Sequence, residues 1–191
     1  MEFKKYKKLV KKYYQKDCRE LNFQNRVIIP FLESFLPEEY EVVDSSTIYK
    51  NWTNYKDDNG YGVCRETFAN NYTPDLLILQ NWKLFDKEKN TPSTIIEVKR
   101  PTASDRTHAN NEVKEYLEKT EHVILTDSIT WEFYDKQNIE NPQEIIHLDI
   151  SKKLVCKRDV TVERDVTWNE ENDWNGLKKK IIEITTSSLS N

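Results

Sequence analysis

The chain has 191 residues, 37% of them hydrophobic and 12% aromatic, with a net charge of −4. That length suits a single domain over 1–191. Three glycines leave no glycine-rich phosphate loop, which excludes the common nucleotide-cofactor motifs, and no apolar run approaches the roughly 20 residues that span a membrane.

Cys18, Cys64 and Cys156 are odd in number and far apart, so they form no zinc framework and read as free thiols. The lysine-rich start has no apolar stretch of the secretory kind. Together these predict a cytoplasmic protein without membrane association. The charge is uneven. Residues 1–16 hold seven lysines and one acid, so the remaining chain carries −10. A basic helix on an acidic body can meet phosphates, and equally can be a solvated face.

In chain order, Phe3, Tyr6, Leu9, Val10, Tyr13 and Tyr14 recur at helical spacing and predict an amphipathic helix over 3–16. A second helix is predicted over 17–35, with Leu21, Val27, Ile28, Phe31, Leu32 and Phe35 inward and a kink or split at Pro30. These two helices make an N-terminal segment, 1–36, ahead of a sheet core over 37–150. Residues 40–43 predict the first strand. An insert over 44–71 is polar and aromatic; Tyr49, Trp52, Tyr55 and Tyr61 sit there with Lys50 and Lys56, which suits either a satellite core or a surface for stacked bases. Residues 76–80 and 94–99 predict central strands, joined by a polar turn over 86–92 and hence antiparallel. A helix over 104–120 carries Val113, Tyr116 and Leu117 inward and lets the next strand lie parallel. Strands over 122–126 and 130–134 follow, joined at Asp127-Ser128, then an edge strand over 144–150. In the extension over 151–191, a helix over 174–184 closes the chain and residues 185–191 read as a frayed tail. The predicted fold class is α/β, a central mixed sheet flanked by helices on both faces.

The two central strands carry charge where burial makes charge costly. Asp75 opens the first, just after Pro74. Glu97 and Lys99 sit two apart in the second, on one face, while Ile96 and Val98 take the other. Asp75 and Glu97 on neighbouring strands suit a divalent cation, since Mg²⁺ prefers oxygen and binds one or two carboxylates while keeping waters. The Val98 carbonyl offers a further ligand. Lys99 is set to orient or deprotonate a water, or to stabilise a phosphate.

Pro74-Asp75, a gap of 21 residues and then Glu97-Val98-Lys99 resemble the PD-(D/E)xK nuclease superfamily. The closest pattern is the nuclease domain of type I restriction motor subunits. That resemblance implies a restriction-endonuclease-like fold, a Mg²⁺-dependent endonuclease with Mn²⁺ as substitute, and DNA as partner. It implies that Asp75, Glu97 and Lys99 are catalytic, with Glu20 on an upstream helix completing the site. The Q-x-x-x-Y element of that subgroup falls at Glu112–Tyr116, where tyrosine matches and glutamate replaces glutamine. Arg100 is a further candidate for phosphate. Small nucleases of this kind cut both strands by pairing, which implies a homodimer. Restriction, other defence, mobile-element function and repair fit equally. Other readings stay open: a catalytically idle nucleic-acid- or protein-binding module, a nuclease for RNA or for branched or single-stranded DNA, or an acidic mimic of DNA.

Overall fold

Short runs of Leu, Ile and Val favour strands, because branched side chains pack well on a pleated surface. The computed structural model describes residues 1–17, 19–45, 73–82, 92–99, 103–148, 168 and 171–187. Among them, six strands form one mixed sheet in chain order: β1 (Tyr40–Asp44), β2 (Leu76–Gln80), β3 (Thr94–Val98), β4 (His122–Thr126), β5 (Thr130–Asp135) and β6 (Glu144–His147). The helices are α1 (Phe3–Lys16), α2 (Glu20–Phe23), α3 (Ile29–Leu32), α4 (Ala103–Leu117) and α5 (Glu171–Ser187). Neighbouring strands are antiparallel except β3 and β4, which are parallel. A parallel pair needs a crossover, and α4 lies between them in the chain to supply it. None of the helices among the described residues is long and apolar enough to cross a membrane.

Alternation along β2 and β3 divides the core into two layers. Leu76, Ile78, Ile96 and Val98 pack with α1, α2, α3 and α5. Leu77, Leu79 and Ile95 pack with Ala109, Val113, Tyr116 and Leu117 of α4 on the other face. This is the expected α/β architecture, with helices on both faces. The first layer holds most of the buried aromatic rings. Phe31 meets Tyr6, Trp131 and Trp174 at ring-centroid distances of 5.1, 5.6 and 4.6 Å. Each such pair adds about 0.5–1.5 kcal/mol beyond area burial, which offsets a low aliphatic content.

Three expectations need correction. A break was expected at Pro30, but the interruption comes one turn earlier, as a π-turn over Gln24–Ile28 in which the Ile29 N–H donates to the Gln24 carbonyl. Pro30 lacks an N–H, and its ring would meet the Arg26 carbonyl in a regular α-helix; the wider turn accommodates this. Leu21, expected inward, is 55% exposed. The expected frayed tail begins too early: α5 continues to Ser187, and the buried Thr185 hydroxyl stands 3.5 Å from that of Thr94. The aromatic insert, apart from Asp44 and Ser45, the three cysteines and Arg100 lie outside the described residues.

One buried hydrogen bond ties α1 to the sheet. The Tyr6 hydroxyl donates to the Ser128 carbonyl at 2.6 Å. Ser128 sits at φ 73°, in the left-handed region, within the tight β4–β5 turn. Tyr6→Phe is expected to destabilise the chain by about 1–3 kcal/mol, because it leaves that buried carbonyl without its donor. Chemical denaturation would read this as a lower midpoint at unchanged slope.

Candidate active site

The β2–β3 register builds the site. Leu76 lies opposite Ile96 and Leu77 opposite Ile95. One step further sets Asp75 opposite Glu97, on the face that carries Leu77 and Ile95. Side chains directly opposite on one face are neighbours, and a slip of one residue would send Asp75 to the wrong face. The Val98 N–H donates to Asp75 Oδ2 at 2.8 Å and fixes that carboxylate. Val98 thus has an observed role as a donor, through its N–H.

The backbone at Asp75 is held from two sides. The Ser45 N–H donates to the Asp75 carbonyl at 3.2 Å, and the Ser45 hydroxyl donates to the Pro74 carbonyl at 2.5 Å. Gln24, 2% exposed, approaches the Asp75 carbonyl through Nε2 at 3.4 Å. Glu20 lies one turn earlier on the same helical run and is close enough to add to the proton affinity of Asp75. Glu20 belongs to the helix layer opposite α4 and acts on Asp75 through its charge.

Lys99 closes the arrangement. Its Nζ donates to Glu97 Oε1 at 2.5 Å and stands 2.7 Å from Glu112 Oε2. The Glu112 contact is an ion pair without the directionality of a hydrogen bond. Glu112 and Tyr116 are four apart on α4, so both face the sheet over Glu97. Glu97 Oε2 and the Tyr116 hydroxyl are buried without a hydrogen bond.

Electrostatics follow from this crowding. Burial pushes the Asp75 carboxyl up to about 6; the Val98 N–H and Lys99 oppose that rise, and Glu20 adds to it. Glu97 is raised well above the usual carboxylate range, by burial first and by Asp75 next, against the pull of Lys99. Burial works against the Lys99 ammonium, but Glu97 and Glu112 outweigh it and hold its pKa above the ordinary value. Tyr116 is raised by burial, with Glu97, Glu112 and Asp75 adding to the effect, so the phenol stays protonated.

The fold thus brings Asp75, Glu97, Val98, Lys99, Glu112 and Tyr116 to one end of the sheet, with Glu20 acting on Asp75 through its charge. Sequence reasoning missed Gln24 and Ser45, and it missed Glu132. Glu132 lies beside Leu125, which lies beside Glu97, and its Oε2 accepts from the Tyr134 hydroxyl at 2.9 Å. Glutamine one turn after Glu20 was a usable signal; Ser45 and Glu132 had none. Among the described residues, no three His, Cys, Asp or Glu side chains group to hold a metal by themselves. The donors fit a hard divalent cation through two carboxylates, with Glu97 Oε2 still available.

No family model matches the chain, and neither does any curated protein. Among solved structures it is similar to the type IIG restriction endonuclease BpuSI, at 18% identity and a TM-score of 0.33. The match covers 76% of this chain and 16% of that one, so the chain spans only a small part of its length. The likeness is distant and partial.

Proposed function

We propose that the chain is a divalent-metal-dependent endonuclease of the PD-(D/E)xK superfamily that hydrolyses DNA phosphodiester bonds. One observation carries this reading: the strand register sets Asp75 opposite Glu97 at a buried sheet end, with Lys99 bound to Glu97. Two adjacent buried carboxylates repel, and a cation between them relieves the cost. Asp75 and Glu97 would hold Mg²⁺ or Mn²⁺, assisted by Glu20 and the Val98 carbonyl. When bound, the metal would place positive charge on the attacked phosphate and lower the pKa of a coordinated water.

The chain's own groups then have separate roles. Lys99 is a poor proton acceptor while two carboxylates hold its ammonium. It acts as a charged donor, aligning the attacking water or meeting the phosphate oxygens as charge grows there. Glu112 keeps that ammonium over Glu97. The protonated Tyr116 hydroxyl supplies a neutral donor beside it. Tyr116 matches the element of the type I restriction motor subunits, whereas Glu112 departs from its glutamine. Cutting both strands with one such site calls for two copies of the chain.

Cleavage of supercoiled plasmid and of duplex, single-stranded, branched and RNA oligonucleotides tests this, with Mg²⁺, Mn²⁺ or chelator. The expected result is metal-dependent cutting of DNA that chelator abolishes. Cutting of RNA alone would overturn the substrate, and no cutting in either metal would overturn the activity.

A further inference from the structure

Most of the lysines of α1 take no part in the site. Lys4, Lys5, Lys8, Lys11, Lys12 and Lys16 are exposed, and Tyr6 and Val10 on the opposite face are fully buried. These six lysines form no ion pair with a carboxylate among the described residues. The direction of α1 matters. At its start, the Met1 amine donates to the Ser34 hydroxyl, just past α3. Near its end, Tyr14 packs edge-on against Phe23 of α2, with ring centroids 4.9 Å apart. So α1 runs antiparallel to the Glu20–Leu32 stretch, and its last turn lies at the end where Phe23 and Gln24 sit, Gln24 approaching the Asp75 carbonyl. At 1.5 Å per residue the lysine row from Lys4 to Lys16 is about 18 Å long, roughly five base-pair steps of DNA.

A distant part of the chain extends this surface. Phe3 stacks on Trp174 of α5 at 5.1 Å. Lys7 Nζ lies over the Phe3 ring at 4.4 Å, and Lys178 Nζ lies over the Trp174 ring at 4.9 Å. Both contacts are cation–π in geometry, which holds the ammonium groups in place. The Met1 amine, its pKa lowered by burial and then by Lys178 and Lys5, belongs to the same cluster. Like charge gathered on one face of an acidic protein opposes folding, and a bound polyanion removes that cost. The apolar stripe of α1 is already buried in the core, so it has nothing to insert into a bilayer. A row of exposed ammonium groups leading to a phosphodiester site matches a nucleic-acid backbone.

We propose that the lysine face of α1, extended by Lys178 of α5, is a backbone-binding track that leads DNA to the Asp75–Glu97 end of the sheet; this rests on the nuclease reading of that site. The test is fluorescence anisotropy of a short labelled duplex in chelator, over a series of salt concentrations, with the full chain. The variant combines Lys4→Ala, Lys8→Ala, Lys11→Ala and Lys12→Ala. These four are exposed, so the thermal midpoint should not fall. Affinity is expected to fall on the order of ten-fold or more, and the salt dependence to become shallower by about 0.9 for each lysine that meets a phosphate. Equal affinity and equal salt slope in the wild type and the lysine variant would overturn the track. So would binding to anionic vesicles without binding to DNA. If the lysine effect appears but the wild type cuts nothing in metal, the nuclease reading falls while the binding surface stands.

Discussion

Lys99→Ala is expected to lower metal-dependent cleavage by about 10²–10³-fold, the usual loss on removing one charged donor from a developing oxyanion. Metal affinity should follow a different course. Lys99 Nζ lies 2.5 Å from Glu97 Oε1, so it competes with any other cation for that carboxylate. Removing it should leave Mn²⁺ affinity unchanged or higher. Single-turnover cleavage and Mn²⁺ titration on one preparation separate the two effects. Equal activity in variant and wild type would remove Lys99 from catalysis. A parallel loss of activity and metal binding would make Lys99 a shaper of the site. Stability should fall as well, by about 3–5 kcal/mol, because Glu97 and Glu112 lose a largely buried partner.

The second large effect concerns Asp75 and pH. Its carboxyl is raised from an ordinary 3.8 to about 6, chiefly by burial. The folded chain therefore keeps a proton that the unfolded chain has already lost between those values. Stability from this proton is complete below pH 3.8 and is lost as pH rises through about 6. Glu97 is raised in the same direction. In chelator, the chain should be less stable at pH 8 than at pH 5, by on the order of 1 kcal/mol from Asp75. Asp75→Asn should flatten that dependence and raise the melting temperature at pH 8, while abolishing cleavage. Millimolar Mn²⁺ should raise the wild-type melting temperature at pH 8 more than at pH 5, since protons and metal compete for the same oxygens. A Mn²⁺-induced rise that survives in Asp75→Asn would contradict the assignment.

The sheet and the centre of the site were legible because their signals are local. Leu76–Gln80 and Thr94–Val98 are apolar runs, and the polar stretch between them called for an antiparallel pair. Asp75 and Glu97 stood out because charge in such runs needs a reason. Tyr116 followed from helical spacing on α4, and Glu112 from the resemblance to the Q-x-x-x-Y element. What was not legible depends on contacts between distant parts of the chain. Ser45 holds Pro74, and Gln24 approaches Asp75, across separations that no periodicity reports. Leu21 fits the apolar stripe of a regular helix, but the run from Glu20 is interrupted at Gln24 by a π-turn, and Leu21 faces solvent. The helix over Glu171–Ser187 outlasts its apolar pattern because Thr185 is buried opposite Thr94 on the sheet. The joining of Lys178 to the α1 lysines depends on Phe3 stacking on Trp174, a contact between the two ends of the chain.

A crystal of the chain soaked in Mn²⁺ and measured for anomalous scattering tests the central claim most directly. The account predicts a peak between the carboxylates of Asp75 and Glu97, with Lys99 Nζ moved off Glu97 Oε1. Diffraction from a fully soaked crystal that shows those two carboxylates ordered, Lys99 still bound to Glu97 and no peak between them would contradict it.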